Sequence, residues 1–245
     1  MRKLIVYISI SCLGILSSSF SGLPIVKDNG YSQVCIYQLA DEPVKASFLY
    51  TVLNLDEIGL SQEAFEYAYK GYENLVEKKM LNPTAYLTIC DFSQSSKQKR
   101  LYIIDLANDT VLMNTYVAHG HNSGGEFATR FSNKLYSKQS SLGFYITQDT
   151  YNGNHGYSLR LQGEEKGIND NAINRAIVMH SAWYVNENVA KIQGYIGRSQ
   201  GCPALSEELT KPIIEKIKNG SCLFLYSADK YYMSHSEILA AANAA

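Results

Sequence analysis

The chain has 245 residues, 46% of them hydrophobic, which is enough to bury the core of one large domain or two small ones. Its 22 basic and 23 acidic residues leave a formal net charge of -1 and lie in short, scattered groups. This balance excludes a broad basic face for nucleic-acid phosphates or anionic lipid, so we expect no nucleic-acid partner.

Residues 1–22 have the three-part layout of a secretory signal. Two basic residues come first, an apolar stretch runs from Leu4 to Leu16, and small residues follow to Gly22. The apolar stretch is shorter than the ~20 residues that a membrane-spanning helix needs, which makes a permanent anchor the weaker alternative. We predict a signal peptide, no stable membrane span after its removal, and a mature protein that is periplasmic or secreted and works in the cell envelope.

Residues 23–47 show no sustained periodicity and are predicted to be a linker or arm. From Ser61, a predicted N-cap, apolar residues recur at helical spacing from Phe65 to Met80. We therefore predict a helix that ends near Pro83.

A strand-rich region follows this helix. Strands are predicted at 85–93, 100–120, 142–151 and 156–163, and the second of these segments is predicted to fold back as a hairpin at Asn108 and Asp109. Residues 120–141 are dense in Gly, Ser and Asn, which predicts a long loop of the kind that is usually functional or mobile.

The second half of the chain alternates between helices and strands. We predict a short helix at 169–176, an apolar strand at 176–185 with His180 in its middle, a helix at 186–195, a helix from Ser206 to Gly220 and a final strand at 221–227. The tail from Asp229 is rich in Ala and is predicted to be a loosely packed helix.

Four cysteines remain after the signal: Cys35, Cys90, Cys202 and Cys222. An even number in an oxidising compartment favours two disulfides, which would make Cys202 structural. Cys202 nevertheless differs from Cys90 and Cys222, because it lies in the Gly- and Ser-rich loop GRSQGCPAL and not in an apolar strand-like run. The residues around Cys202 are compatible with two alternatives, a reactive thiol and a disulfide.

A reactive thiol needs a base, because an unperturbed cysteine with a pKa of ~8.5 is only slightly ionised at neutral pH. His180 is the candidate, since it lies in an apolar strand and precedes Cys202 by 22 positions (202 − 180) with one predicted helix between them. Gly201 allows a sharp turn, and amides freed at such a turn would bind a developing oxyanion.

Two other classes of protein also fit parts of this pattern. His119 and His121 share one face of a strand if the strand continues that far, and His155 would then complete a zinc peptidase site. The other class is a non-catalytic wall-binding module, in which Cys202 bonds to Cys222 or Cys90.

The residues around the candidate base and nucleophile resemble the L,D-transpeptidase (YkuD-like) catalytic domain. The match is a histidine followed downstream by Ser-x-Gly-Cys, that is, His180, Ser181, Ser199, Gln200, Gly201 and Cys202. The segments YVAHG and SSLGFYIT resemble the strands that precede the site in that family. RSQGCPA and NDNAINRAIVMHSAWYV are similar to a divergent branch, the murein L,D-transpeptidase catalytic domain proteins.

The resemblance covers most of the predicted mature chain and implies an α+β fold. This fold is a mainly antiparallel β L,D-transpeptidase-like catalytic domain with flanking helices. We assign it to residues 48–228, including the N-terminal helix, with a C-terminal tail at 229–245.

The resemblance also implies roles for the matched residues. Cys202 would be the nucleophile and His180 the base that deprotonates it. The backbone carbonyl of Ser181 would orient the imidazole, and the amides around Gly201 and Cys202 would form the oxyanion hole.

The candidates for substrate binding are Arg198, Ser199, Gln200 and His119. Many family members have His where this chain has Gln200, and an Arg shortly after the cysteine where this chain has Ala204. Arg198 is our candidate to replace that carboxylate contact. Arg130 and Arg160 are further groove candidates, because a stem peptide carries carboxylates.

The reaction implied by the resemblance is acyl transfer on peptidoglycan stem peptides, without a metal or cofactor. The cysteine attacks a stem tetrapeptide, a thioester forms, and an amine of a second stem peptide resolves it into a cross-link. The alternative with the same nucleophile is an L,D-carboxypeptidase or endopeptidase, in which water resolves the thioester.

Overall fold

The computed structural model describes residues 42–241. The predicted signal peptide at 1–22, Cys35 and most of the predicted linker lie outside the described residues. Within 42–241, no helix is both long enough and apolar enough to cross a membrane.

Eight strands form one mixed sheet. They are β1 Leu87–Asp91, β2 Leu101–Asp105, β3 Thr110–Thr115, β4 Gly143–Gly153, β5 Gly156–Gly163, β6 Val178–Ser181, β7 Ala204–Leu205 and β8 Cys222–Tyr226. Their order in the sheet is β3-β2-β1-β8-β4-β5-β6-β7. Two neighbouring pairs, β1 with β8 and β6 with β7, are parallel, and the other pairs are antiparallel.

The middle of the sheet is the core of the domain. Every residue of β1 and of β8 is buried, which fits the unbroken apolar sequence of β8, whereas β1 also buries Thr88 and Asp91. Phe144 of β4 stacks on Phe224 of β8 with ring centroids 4.1 Å apart. Cys90 of β1 and Cys222 of β8 are both completely buried.

In the described part of the chain, six α-helices lie around the sheet. They are α1 Glu42–Val52, α2 Gln62–Glu77, α3 Glu187–Gln193, α4 Glu207–Ile217, α5 Lys230–His235 and α6 Glu237–Ala241. Helix α2 begins after Ser61, whose side chain accepts from the amide of Ala64 (3.2 Å), and it packs on β1 and β8. Helix α4 packs on β5 and β6. The predicted α+β fold is therefore confirmed, and the N-terminal helix lies on the sheet.

Helix α1 was missed by the sequence analysis, which assigned residues up to 47 to a linker or arm. Ala46 and Leu49 of α1 are buried, and the helix packs on α2. The apolar residues of α1 do not form a clear stripe along one face, so periodicity did not indicate this helix.

The predicted short helix at 169–176 is wrong, because this segment consists of turns. The side chain of Asn169 accepts from the amide of Glu165 (2.9 Å) and donates to the carbonyl oxygens of Leu142 and Phe144 (both 3.0 Å). Such side-chain bonds offer the backbone an alternative to the helix. The segment ends at Ala176 in a left-handed conformation with φ of 52°, and β6 covers only part of the predicted strand at 176–185.

The tail after Asp229 is not loosely packed, in contrast to the prediction. It forms α5 and α6, in which Tyr232 and Leu239 are buried. The Tyr232 hydroxyl and the Ser236 hydroxyl both donate to the buried carboxylate of Glu165. Burial raises the pKa of this carboxyl group, and its hydroxyl partners attach the tail to the sheet.

Candidate active site

Two short strands bring the predicted base and nucleophile to one edge of the sheet. Strand β6 ends with His180 and Ser181, and β7 begins two residues after Cys202. The strands pair in parallel with His180 beside Ala204, and Ala118 also bridges to Ala204. Cys202 therefore lies at this edge of the sheet, two residues before Ala204, which is the partner of His180.

The turn that carries Cys202 is closed by the side chain of Ser199. Its Oγ donates to the carbonyl oxygen of Cys202 (2.6 Å) and accepts from the amide of Gly201 (3.0 Å). Gly201 has a φ of 127°, and a Cβ at this position would lie 2.8 Å from the carbonyl oxygen of Gln139. The turn therefore needs glycine. The Ser199 hydroxyl makes both bonds inside the turn, and its assignment as a substrate contact stays a prediction.

Cys202 and His180 line the same cavity, which has a volume of about 610 Å³. Its walls come from the β4–β5 hairpin, the segment before β6, and the cysteine loop. The lining residues are Tyr151, Gly153, Asn154, His155, Ser158, Arg175, Ala176, Val178, His180, Tyr184, Arg198, Ser199, Gln200 and Cys202.

The Cys202 thiol is protonated at rest. The residue is only 8% exposed, and burial raises its pKa, although the Val178 amide and the charge of Arg175 act in the opposite direction. Its Sγ lies 3.5 Å from the Val178 amide nitrogen and 3.7 Å from the Ala176 carbonyl oxygen. A nucleophile of this kind needs a base to accept its proton.

His180 is arranged to accept that proton. Its Nδ1 lies 2.8 Å from the carbonyl oxygen of Ser181, and because a carbonyl oxygen only accepts, Nδ1 carries the proton. Nε2 then keeps its lone pair, and it has no hydrogen-bond partner among residues 42–241. Burial lowers the pKa of His180, so the imidazole is neutral near pH 7.

Fewer backbone amides are free for an oxyanion hole than the resemblance implies. The amide of Gly201 already donates to Ser199 Oγ (3.0 Å), so it is not free to bind an oxyanion. The amide of Cys202 has no acceptor in the described part of the chain. Of the two predicted donors, the structure leaves only the Cys202 amide available.

Arg175 is a cavity residue that the sequence analysis missed. Its guanidinium donates to the carbonyl oxygens of Ser132 (2.7 Å) and Gln139 (2.5 Å) and to the hydroxyls of Ser137 (3.1 Å) and Ser141. It therefore holds the predicted loop at 120–141 against the cysteine turn. An arginine inside an Asn-rich segment carried no sequence signal for this role.

His155 is a second missed cavity residue, since the sequence analysis considered it only as a zinc ligand. It lies between Gly153 and Gly156 at the tip of the β4–β5 hairpin. Its ring stacks on that of His180, with centroids 4.5 Å apart and planes 25° apart.

The charge of the cavity is positive. Arg175 and Arg198 both line it, and none of the described residues in its lining carries a carboxylate. Arg198 donates to the carbonyl oxygen of Gly124 (3.0 Å) and lies over the ring of Tyr195 at 5.3 Å. This cavity suits a ligand with carboxylate groups.

A sequence profile of the L,D-transpeptidase catalytic domain matches residues 56–226. The chain belongs to this family. The match includes the whole cavity lining as well as the central strands of the sheet, and it confirms the resemblance seen at His180 and Cys202.

Solved structures are similar to this family member at low sequence identity. An L,D-transpeptidase from Mycobacterium smegmatis is 15% identical, with 58% of each chain covered and a TM-score of 0.36. One from Stackebrandtia nassauensis is 12% identical, with 68% of each chain covered and a TM-score of 0.36. A mutant of the helical cell shape determining protein Pgp2 from Campylobacter jejuni is 11% identical over 67% of this chain and 55% of that chain, with a TM-score of 0.39.

The chain thus spans little more than half the length of the first and third of these proteins. No protein with curated functional information matches it.

The structure places several predicted substrate contacts of this L,D-transpeptidase family member away from the cavity. His119 is completely buried, does not line the cavity, and lies with Nδ1 2.7 Å from Nη2 of Arg100. Arg130 and Arg160 do not line the cavity either, and Arg160 pairs with Asp149. Of the predicted substrate contacts, Arg198, Ser199 and Gln200 line the cavity and remain candidates.

The two competing classes are not supported by the positions of their residues. Within 42–241, no three His, Cys, Asp or Glu side chains are grouped so that they could hold a metal ion, and His155 stacks on His180 instead of joining His119. Cys202 forms no disulfide with Cys90 or Cys222, because all three are free thiols. Cys202 is the one of the three that lines the cavity.

Proposed function

We propose that the protein is a peptidoglycan L,D-transpeptidase in which Cys202 is the nucleophile and His180 the base. The observation that carries this proposal is that a buried thiol and a neutral imidazole with a free Nε2 line one cavity. The cavity is also positively charged, which fits the carboxylates of a stem peptide.

Acylation follows from this arrangement. The proton of the Cys202 thiol moves to Nε2 of His180 as the sulfur attacks the carbonyl carbon of an L-centre next to a D-amino acid. The amide of Cys202 donates to the developing oxyanion. The C–N bond then breaks, His180 returns the proton to the departing amine, and a thioester remains.

The second half-reaction resolves the thioester. A side-chain amine of another stem peptide loses its proton to His180, attacks the thioester carbonyl and displaces the Cys202 sulfur, which takes the proton back. The product is a cross-link. Water in place of the amine would make the same site an L,D-carboxypeptidase or endopeptidase.

Arg198 and Gln200 are the proposed contacts to the stem peptide, because both line the cavity beside the cysteine turn. Arg198 has guanidinium donors beyond its single bond to Gly124 with which to bind a carboxylate. We further propose that the protein acts in the periplasm or outside the cell, where its substrate lies and where the predicted signal at 1–22 would send it.

The test is turnover of a disaccharide tetrapeptide that carries a free acceptor amine. Cys202→Ala is expected to abolish turnover and to leave the fold intact, as measured by circular dichroism. Cys90→Ala is the matched control, because Cys90 is a buried free thiol outside the cavity, and it should retain turnover.

Mass analysis of the products separates the two reactions. Dimers indicate transfer, whereas shortened monomers alone indicate hydrolysis and would replace the transpeptidase proposal with its alternative. Full turnover by Cys202→Ala would rule out both.

A further inference from the structure

The β4–β5 hairpin places a second imidazole directly against the base. His155 and His180 stack face to face at 4.5 Å. The hairpin tip is also tied to β6, because Ser181 Oγ donates to the carbonyl oxygen of His155 (2.9 Å). The carbonyl of the same Ser181 accepts from Nδ1 of His180 (2.8 Å). The base is therefore held at its edge by Ser181 and on its face by His155.

Neither burial nor hydrogen bonding explains a histidine at the hairpin tip. The residue is exposed, and no hydrogen bond to its ring nitrogens occurs within the described residues. The described contact of its ring is the stack on His180. A two-residue hairpin tip of this kind could be built from many polar residues.

We infer that His155 is a positioning residue for the acyl-transfer reaction, which holds the ring of His180 and stacks on the imidazolium that forms when the thiol proton arrives. The inference rests on the proposed function of this site. The face of a neutral ring stabilises a cation stacked on it, whereas a protonated His155 opposes a second charge on His180. His155 therefore acts on the pKa of His180.

Other charged and titratable groups face this pair. The titratable and charged side chains that share the cavity are Tyr151, Tyr184, Arg175, Arg198 and Cys202. On the hairpin itself, Arg160 pairs with Asp149. Arginine and tyrosine side chains generally keep one charge state between about pH 5 and 8. Besides burial, the charge of His155 lowers the pKa of His180.

Two variants separate the packing of His155 from its charge. His155→Ala removes both, whereas His155→Phe keeps an aromatic face and cannot take up a proton. Above about pH 7.5, we expect His155→Ala to lower kcat about three- to tenfold with little change in KM, and His155→Phe to restore most of that loss.

The dependence of kcat/KM on pH distinguishes this role from a merely structural one, which would leave the acidic limb where it is. In His155→Phe the positive charge that lowers the pKa of His180 is gone while an aromatic face remains, so the pKa of His180 rises and the base is protonated at higher pH. The acidic limb of kcat/KM should therefore move to higher pH by about half a unit or more. Thermal melting should show no change, since His155 is exposed.

His235→Phe is the matched control. His235 also stacks on a ring, that of Tyr231 at 4.0 Å, but it lies outside the cavity. This variant should leave kcat and the acidic limb unchanged.

Alkylation of Cys202 by iodoacetamide, followed by peptide mass analysis, tests the same coupling without a peptidoglycan substrate. If tetrapeptide turnover is absent but the alkylation rate of the two variants shifts with pH in the same direction, the proposed function fails while the coupling of His155 to His180 stands. If His155→Ala and His155→Phe have the rates and the acidic limb of the unmodified protein in both assays, the inference is wrong.

Discussion

The surroundings of His119 and of His180 differ in one respect that decides what each histidine can do. Both residues are buried and lie near Ala204, which pairs with His180 and bridges to Ala118. At His119, Nδ1 faces Arg100, which has only donors, so Nδ1 accepts and the proton lies on Nε2. At His180, Nδ1 faces a carbonyl oxygen, so the proton lies on Nδ1 and Nε2 is free.

Burial alone therefore does not distinguish a structural histidine from a base. Desolvation and the charge of Arg100 lower the pKa of His119 to about 3, and its one lone pair is already used. His180 has a lowered pKa from burial as well, but its lone pair remains available to the Cys202 proton. The nitrogen left without a partner is the reason why His180, and not His119, is the proposed base.

The largest expected effect is at His180. His180→Asn removes the acceptor nitrogen and is expected to lower kcat/KM for tetrapeptide turnover by about 10² to 10⁴. The free energy of unfolding should change by no more than about 1 kcal/mol, because the side chain makes one hydrogen bond. A variant that loses activity only in proportion to its stability would show that His180 is structural, like His119.

Arg100 should show the opposite pattern. Its guanidinium donates to the carbonyl oxygens of Gln94 (2.8 Å) and Val117 (3.1 Å) and lies over the ring of Phe92. Arg100→Met leaves those buried carbonyl groups without donors and should lower the free energy of unfolding by about 3 kcal/mol. Urea denaturation measures this loss, and turnover per folded molecule should persist. Lost turnover with unchanged stability would contradict the assignment.

A substitution at Gly201 tests whether the shape of the cysteine turn is what brings the Cys202 thiol to His180 and not to His119. Gly201→Ala places a Cβ against the Gln139 carbonyl oxygen and should displace Cys202, lowering kcat/KM about thirtyfold. Gly167→Ala is the control, because Gly167 also has a positive φ (77°) but no atom within 4 Å of the added Cβ. Equal losses in the two variants would mean that backbone strain, and not displacement of the turn, is responsible.

The smallest expected effect is the pH dependence of stability that His119 causes. The folded state keeps His119 neutral down to about pH 3, whereas the unfolded chain takes up the proton near 6.5. The unfolded state therefore binds more protons in this window, so stability falls as the pH is lowered through it. We expect a loss of roughly 1 kcal/mol per pH unit from this residue.

His119→Gln should reduce that slope in urea denaturation at pH 6.5 and pH 5. The unmodified protein should lose more stability between these two conditions than the variant does. Equal slopes would show that His119 is protonated in the folded state, and the contrast with His180 would then disappear.

Sequence patterns predicted the elements whose signals are local. Helix α2 follows its capping Ser61, α3 follows Asn186, whose side chain accepts from the amide of Val189 (2.9 Å), and the β2–β3 hairpin turns through Asp109 with a φ of 46°. The helix prediction at 169–176 was wrong because the conformation of this segment depends on distant residues. Asn169 bonds to Leu142 and Phe144, which are far from it in the sequence.

The candidate site divides in the same way. A cysteine in a Gly- and Ser-rich loop and a histidine in an apolar strand were visible in the sequence by itself, as were most helices and strands, because periodicity, caps and turn residues act within a few positions. The fold class came with the resemblance to the family. Only the tertiary structure decided that Nδ1 of His119 bonds to Arg100 and that the Ser199 side chain closes the cysteine turn. It also decided that His155 and Arg175 line the cavity. Burial and the use of a lone pair depend on partners far along the chain, such as Ser132, which lies 43 residues from Arg175.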